Sequence, residues 1–209
     1  WKNLMSDLIK RVLSSIILLP MVLYFIFMGS FYLIFLIVIC FFIASYEWHK
    51  MVKHKMYRIL GYIFLILSFY SFYELSIEKF IIIPLFICIS TDMGGYVFGK
   101  IFKGPKLTKI SPNKTYAGMF GGYFLSILFI IVYSNYVNQP INLLLLIIVI
   151  FISSISQIGD IVVSYFKRLS KLKNTGIILP GHGGILDRID GMIFAIPTFY
   201  LIHLTDYSI

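Results

Sequence analysis

The sequence predicts an all-α, polytopic integral membrane protein with about seven transmembrane helices, forming one membrane domain over residues 1–209. Apolar residues make up 59% of the chain and charged residues only 13%, about half the ~25% usual in soluble proteins. A soluble domain of this size could not keep so much apolar surface away from water. The apolar residues also fall into long runs that are separated by short, mostly basic segments.

Seven apolar runs approach the ~20 residues that a helix needs to cross a bilayer. The predicted spans are 12–28, 31–47, 58–73, 80–98, 117–134, 141–165 and 191–204. The first run resembles a secretion signal, but no small-residue cleavage site follows it and a second run begins at Phe31. A retained first span is therefore favoured. Because the chain begins with Trp1, its start is expected to be trimmed.

The loops between the runs alternate in charge. Lys and Arg concentrate before the first run, before Arg58, and in 99–115 and 166–190, whereas 29–30 and 135–140 carry no charge. Under the positive-inside rule, the N-terminus and the basic loops are predicted to lie in the cytoplasm. The predicted location of the protein is the cell (inner) membrane. The excess of 18 Lys and Arg over 9 Asp and Glu is thus explained by topology and anionic lipid, and no nucleic-acid partner is expected.

Two acids lie inside predicted spans. Asp92 precedes Lys100 by eight residues and Asp160 precedes Lys167 by seven, so both are expected ~10–12 Å inside the cytoplasmic edge. A carboxylate at that depth costs several kcal/mol unless a partner, cavity or metal compensates it. We expect a polar cavity open to the cytoplasm, with structural salt bridges as the alternative. Acids near span ends, such as Glu47, are expected to be solvated at the interface.

A glycine-rich segment, LPGHGGILDRID at 179–190, precedes the last run. Its glycines permit conformations in which several backbone N–H groups point at one anion. A helix is expected to begin near Ile185 and to place Asp187 and Asp190 on one face. Two such carboxylates suit a hard divalent cation that keeps waters and binds substrate phosphates. The surrounding cations favour a polyphosphate site: Lys114, Lys167, Arg168, Lys171, Lys173 and Arg188.

Three segments resemble the signature of the phosphatidate cytidylyltransferase family, also called CDP-diglyceride synthetases. They are TDMGGYVFGK at 91–100, SPNKTYAGMFGG at 111–122, and GDIVVSYFKRLSKLKNTGIILPGHGGILDRID at 159–190, together about a quarter of the chain. The resemblance implies a membrane enzyme that uses CTP and Mg²⁺ to convert phosphatidate to CDP-diacylglycerol and pyrophosphate. It also implies a homodimer among membrane lipids, N-terminal membrane helices in 1–90 and catalytic helices and loops in 91–209. A second cation is left open.

The resemblance implies a role for each matching residue. Those implied in catalysis are Lys167, Arg168, His182, Arg188 and Asp190. Those implied in substrate binding are Ser111, Lys114, Ser164, Lys173, Gly183 and Gly184. Those implied in metal binding are Asp160, Asp187 and Asp190, with Asp92 as a further buried acid.

Three positions depart from the family pattern. Val163 stands where Glu is usual, Asn174 where Asp is usual, and Ala117 in place of Glu or Gln. Because two acids are absent, weak Mg²⁺ binding is expected. The chain is also short for the family and is expected to lack N-terminal spans. An inactive or adapted relative of the enzyme is therefore one alternative.

Other functions stay open. A CTP-dependent lipid-alcohol kinase would leave CDP instead of pyrophosphate. CDP-alcohol phosphatidyltransferases share the start of Asp187-x-x-Asp190-Gly191, but their motif continues with Ala-Arg and further acids, which this sequence lacks. A small transporter would pair acids along a path to both membrane faces, whereas the buried acids here belong to the cytoplasmic half.

Overall fold

The regular structure is helical. The computed structural model describes residues 20–176, 178 and 183–205. Its helices are α1 (20–28), α2 (Ser30–Met51), α3 (Lys55–Ile77), α4 (Ile82–Phe102), α5 (Tyr116–Tyr136), α6 (Leu143–Leu169), α7 (Leu186–Ile189) and α8 (Met192–His203). These residues form no β-strand, and an isolated bridge joins Lys106 and Thr115. The all-α prediction is confirmed.

Five described helices, α2 to α6, are long and apolar enough to cross a membrane. They correspond to the second to sixth predicted spans, so the chain is a polytopic membrane protein. The first predicted span, 12–28, lies mostly outside the described residues, and α1 is its described part. The last predicted span is helical, but α8 has only 12 residues and reaches ~18 Å, less than the ~30 Å of a bilayer core. The count of seven spans is therefore not confirmed.

The chain divides into two compact units. The first combines residues 1–77 with 166–189, and the second combines 78–165 with 190–209. Among the described helices, α1, α2, α3 and α7 belong to the first unit and α4, α5 and α8 to the second. Helix α6 begins in the second unit and contributes its last residues to the first. The predicted single functional domain over 1–209 stays a prediction.

In the second unit, α4 and α5 pack with their backbones in contact. A Cβ atom added to Gly94 would lie 2.2 Å from the carbonyl oxygen of Gly121, and one added to Gly118 would lie 2.6 Å from that of Gly95. Small residues allow such close approach, and membrane helices associate largely by this kind of packing. The glycines of the fifth predicted span thus serve helix packing.

We expect Gly94→Ala to lower the melting temperature in detergent by roughly 3–10 °C, because overpacking a close contact typically costs 1–3 kcal/mol. Gly95→Ala is the matched control, since the nearest atom to its added Cβ would be the Gly118 carbonyl oxygen, at 3.8 Å. Thermal unfolding of both variants checks the expectation, and equal melting temperatures would count against backbone contact at Gly94.

Polar side chains connect the three long helices of the second unit. The hydroxyls of Thr91 and Ser153 lie 2.7 Å apart, and those of Tyr123 and Ser154 lie 2.9 Å apart. Gln157 donates its side-chain N–H to the Met119 carbonyl oxygen at 3.5 Å. Polar groups inside a bilayer must find partners within the protein. These bonds fix the rotation of α6 one turn before its first acidic residue.

Candidate functional site

A Lys–Asp ion pair forms the first polar cluster, in the second unit. The Nζ of Lys114 forms a salt bridge with Asp160 Oδ2 and also donates to the Gln157 carbonyl oxygen at 3.4 Å. The Ser164 hydroxyl, one helical turn further along α6, donates to Asp160 Oδ1 at 3.2 Å. The side chains of Lys114 and Asp160 are 24% and 27% exposed. A water-soluble anion or cation can therefore reach the pair.

A compact turn before α5 positions Lys114. Its N–H donates to the Ser111 carbonyl oxygen at 3.0 Å, and its carbonyl oxygen accepts from the Leu107 N–H at 2.8 Å. Thr115 then caps α5, because its hydroxyl accepts from the Gly118 N–H at 3.1 Å. Ser111 and Lys114, both implied in substrate binding, thus belong to one turn.

A second Lys–Asp pair lies in the first unit and is more enclosed. Lys167 Nζ donates to Asp187 Oδ1 at 2.9 Å, and Asp187 Oδ2 accepts from the Thr175 N–H at 2.8 Å and the Gly184 N–H at 3.0 Å. The Lys167 and Asp187 side chains are 11% and 7% exposed. Burial by itself raises the pKa of Asp187, but the bonds from Lys167 and the two backbone N–H groups, with the Lys167 charge, hold that pKa below its ordinary value.

Glu47, on α2, is the residue that sequence reasoning missed. It is 1% exposed, so the expectation of a solvated interfacial acid was wrong. Its Oε1 accepts from the Ile185 N–H at 3.1 Å, and its Oε2 accepts from the Leu186 N–H at 2.9 Å and the Thr175 hydroxyl at 2.8 Å. These contacts tie α2 to the segment that carries Asp187.

The burial of Glu47 follows from the face of α2 that it occupies, which becomes visible only in the structure. Ala44 and Met51 are each 0% exposed, and the positions 44, 47 and 51 share one face of a helix. Glu47 therefore occupies a position of the buried stripe. An acid in such a stripe needs buried donors, because an unpaired buried carboxylate is too costly.

The described glycines of the 183–190 segment pack against these two carboxylates. Gly183 has φ +89°, and a Cβ added to it would lie 2.7 Å from Asp187 Oδ2. A Cβ on Gly184 would lie 2.2 Å from the Thr175 Oγ1 and 2.4 Å from Glu47 Oε2. Several backbone N–H groups do point at anions here, as expected, but the anions are side chains of the protein itself.

The prediction that one helix carries Asp187 and Asp190 on a single face is wrong. Helix α7 has four residues and ends at Ile189, and the chain turns at 190–191 before α8 begins. Asp190 Oδ1 accepts from the Gly191 N–H at 3.0 Å. In the second unit a Cβ on Gly191 would lie 2.5 Å from the Ser156 Oγ, so α6 and the start of α8 approach closely at this turn.

Asp92 lies on the side of α4 that faces away from the protein interior, and its depth in the membrane stays a prediction. The buried face of α4 runs through Cys88, Thr91 and Gly94, which places Asp92 one position beyond it. A role for Asp92 in the functional site stays a prediction.

The remaining cationic residues lie at the surface. Arg168, Lys173 and Arg188 are exposed, and Arg168 donates to the Leu172 carbonyl oxygen at 3.3 Å. Their roles stay predictions. His182 lies outside the described residues.

The described oxygen donors fit a magnesium ion that keeps most of its ligands as water or phosphate. Mg²⁺ usually takes one or two protein carboxylates together with substrate phosphates. Asp160, about one-quarter exposed, and the buried Ser164 beside it offer two hard oxygens. Within the part of the chain that the structure describes, no group of three His, Cys, Asp or Glu side chains is placed to enclose a metal.

Of the positions that depart from the family pattern, Val163 is 1% exposed and Asn174 packs beside Gly183.

The sequence matches known proteins along most of its length. The profile of the "Cytidylyltransferase family" matches residues 9–81 and 76–205. A phosphatidate cytidylyltransferase from Staphylococcus epidermidis is 44% identical over 135 residues, 63% of this chain and 52% of the relative. One from Staphylococcus haemolyticus is 47% identical over 109 residues, 51% of this chain and 42% of the relative. One from Staphylococcus aureus is 41% identical over 135 residues, with the same coverage as the first.

The chain spans about half the length of the curated relatives it matches. The matched residues 76–205 contain both Lys–Asp pairs, and the matched residues 9–81 contain Glu47. Since the profile covers far more than half of the sequence, the chain belongs to the cytidylyltransferase family.

Proposed function

We propose that the protein is a phosphatidate cytidylyltransferase of phospholipid biosynthesis, which converts CTP and phosphatidate to CDP-diacylglycerol and pyrophosphate. The observation that carries the proposal is the family match together with relatives of 41–47% identity that bear this name. The Lys114–Asp160 pair of the second unit and the Lys167–Asp187 pair of the first unit each support the proposal, because sites for polyphosphates use both cationic and acidic side chains.

The proposed step is an exchange of bonds at the α-phosphorus of CTP. An oxygen of the phosphatidate phosphate forms a bond to that phosphorus. The bond between the α-phosphorus and the oxygen that bridges to the β-phosphate breaks, which releases pyrophosphate. The nucleophile is already an anion, so no strong base is required. The barrier is the repulsion between two polyanions and the charge that develops on the leaving group.

Cationic side chains address that barrier. Lys114 is about one-quarter exposed and held by Asp160, so its ammonium group is oriented and still accessible to a phosphate. Lys167 is held by Asp187 in a more enclosed setting, where electrostatic interactions are stronger. Further contacts to phosphates are proposed for the exposed residues Arg168, Lys173 and Arg188. The same role is proposed for His182, which lies outside the described residues.

The proposed cofactor is Mg²⁺, which when bound would neutralise phosphate charge and stabilise the leaving group. Asp160, with Ser164 beside it, is the described carboxylate best suited to hold it. Asp187 and Asp190 are proposed as further ligands, and Asp187 would then exchange a present hydrogen-bond donor for the ion. A second cation and a homodimer are part of the same proposal.

The proposed test is an assay of the purified protein with phosphatidate, labelled CTP and Mg²⁺. Formation of CDP-diacylglycerol and pyrophosphate in equal amounts is expected. With a lipid alcohol in place of phosphatidate, release of CDP and a phosphorylated lipid would instead identify a lipid kinase, and absence of product with either lipid at every Mg²⁺ concentration would favour an inactive relative.

The proposed location is the cell membrane, with the active site on the cytoplasmic side, where acyl chains stay in the bilayer and the head group meets soluble CTP. Single cysteines at Lys106 and Lys171, with Cys40 and Cys88 changed to alanine, should react with an impermeant maleimide only from the cytoplasmic side. A cysteine at the exposed Gln139 should react only from outside and is the control. Labelling of Lys106→Cys or Lys171→Cys from outside would overturn the orientation.

A further inference from the structure

Two buried acids hold the same pair of segments in the first unit. Glu47 accepts from Ile185 and Leu186, and Asp187 accepts from Gly184, so three consecutive backbone N–H groups are divided between two carboxylates. Thr175 joins the two acids, since its hydroxyl donates to Glu47 and its N–H donates to Asp187. A displacement of Glu47 would therefore be transmitted to Asp187 through both segments.

We infer that Glu47 is a positioning residue for Lys167, acting through the 184–187 backbone and Asp187. The inference rests on the proposed function and deepens it. Lys167 is 8% exposed and donates to Asp187 Oδ1 at 2.9 Å, so the place where Asp187 is held contributes to the direction of its ammonium group. Glu47 fixes that place without touching the phosphates.

Two glycine backbones closely approach the Glu47 carboxylate. A Cβ added to Gly176 would lie 2.5 Å from Glu47 Oε1, and one added to Gly184 would lie 2.4 Å from Oε2. The glycines on both sides thus enclose the carboxylate. A group enclosed in this way holds its partners in one arrangement, which is the property that a reactive site requires.

The inference depends on the carboxylate and not only on its shape. The three described donors to Glu47 all point hydrogens at it, and a carboxylate can accept from each of them because it donates none. In Glu47→Gln one oxygen becomes an NH₂ group. In either orientation of the amide, that group faces a backbone N–H and leaves it unpaired.

Two measurements test the role of Glu47. We expect Glu47→Gln to lower kcat/KM for CTP at least about tenfold, the effect of one lost buried hydrogen bond. Hydrogen exchange at the amides of 184–186 should accelerate in the same variant, whether or not the protein is active. Thr175→Val, which removes only the hydroxyl donor, should shift both quantities in the same direction and by less.

Leu33→Ala is the control, because Leu33 is buried on the same helix about 20 Å away along its axis. It should lower the melting temperature without changing kcat/KM or the exchange of the 184–186 amides. Lys167→Met separates positioning from general stability. Its effect on kcat/KM should be smaller in the Glu47→Gln background than in wild type, and unchanged in the Leu33→Ala background.

The outcomes distinguish the two proposals. If wild type forms no CDP-diacylglycerol but Glu47→Gln still accelerates exchange at 184–186, the proposed function fails and the positioning by Glu47 stands. If wild type is active and both Glu47→Gln and Thr175→Val keep wild-type kcat/KM and exchange, the positioning role is overturned. Strict additivity of Glu47→Gln with Lys167→Met would also overturn it.

Discussion

Asp187→Asn is expected to reduce cytidylyl transfer at least 100-fold and to lower the melting temperature. Asparagine keeps the shape of the side chain but removes the charge that Lys167 pairs with at 2.9 Å. Breaking an enclosed pair by removing one partner costs on the order of 3 kcal/mol, because the other charge is left uncompensated. For a chain of 209 residues this corresponds to roughly 6–12 °C.

A double variant separates the structural from the chemical part of that loss. Lys167→Met with Asp187→Asn removes both charges, so stability should recover relative to Asp187→Asn alone, whereas activity should stay low. A Mg²⁺ titration of Asp187→Asn tests the metal role, since loss of a ligand should raise the Mg²⁺ concentration for half-maximal rate. Near-normal turnover in Asp187→Asn would show that neither role is needed.

The same variant should change how stability depends on acid. The folded pKa of Asp187 lies below the ordinary value of 3.8, so its contribution to stability is present above that value and is lost as the pH falls through the lower folded pKa. Asp187→Asn should lack this part of the acid transition, which unfolding measured between pH 5 and pH 2 would reveal.

Asp160→Asn is expected to reduce turnover at least 100-fold with little change in melting temperature. The pair with Lys114 is about one-quarter exposed on each side, and pairs that reach solvent contribute only about 0–1 kcal/mol to stability. Its chemical role is larger under the proposed function, because the carboxylate both orients Lys114 and offers an oxygen to Mg²⁺.

Ser164→Ala is the matched control for Asp160→Asn. It removes the 3.2 Å hydrogen bond to the same carboxylate and leaves the charge, so a loss of only a few-fold is expected. Steady-state rates across a Mg²⁺ titration check both variants. If Asp160→Asn retained most of its activity at saturating Mg²⁺, the assignment of Asp160 to the metal would be wrong.

The long helices were predictable from the sequence because apolar runs of that length can form few structures other than membrane-spanning helices. Their ends were not, since backbone hydrogen bonding continues a helix into polar residues. Helix α3 thus covers Lys55–Ile77 where the apolar run predicted 58–73. The break between α7 and α8 was also missed, because it depends on the close approach of Gly191 to Ser156.

A site residue could be predicted where its position in the sequence is itself unusual, as for a charged residue within an apolar run. Asp160 follows a long apolar run, and the structure does pair it with Lys114. Glu47 was not predictable in this way, because its donors are backbone N–H groups 138 and 139 residues further along the chain. The face of α4 that Asp92 occupies was not predictable either, because it depends on how α4 packs.

The length of α6 makes membrane thickness relevant to the proposed reaction. Its 27 residues extend about 40 Å, whereas the hydrocarbon core of a bilayer is about 30 Å thick. From the start of the helix, Asp160 lies about 26 Å along it and Lys167 about 36 Å. A thicker bilayer would submerge the Asp160 carboxylate and a thinner one would raise it, at a cost of fractions of a kcal/mol per ångström of hydrophobic mismatch. Under the proposed function, the acyl-chain length of the surrounding lipids is therefore expected to affect how readily this carboxylate and a lipid phosphate meet at one level.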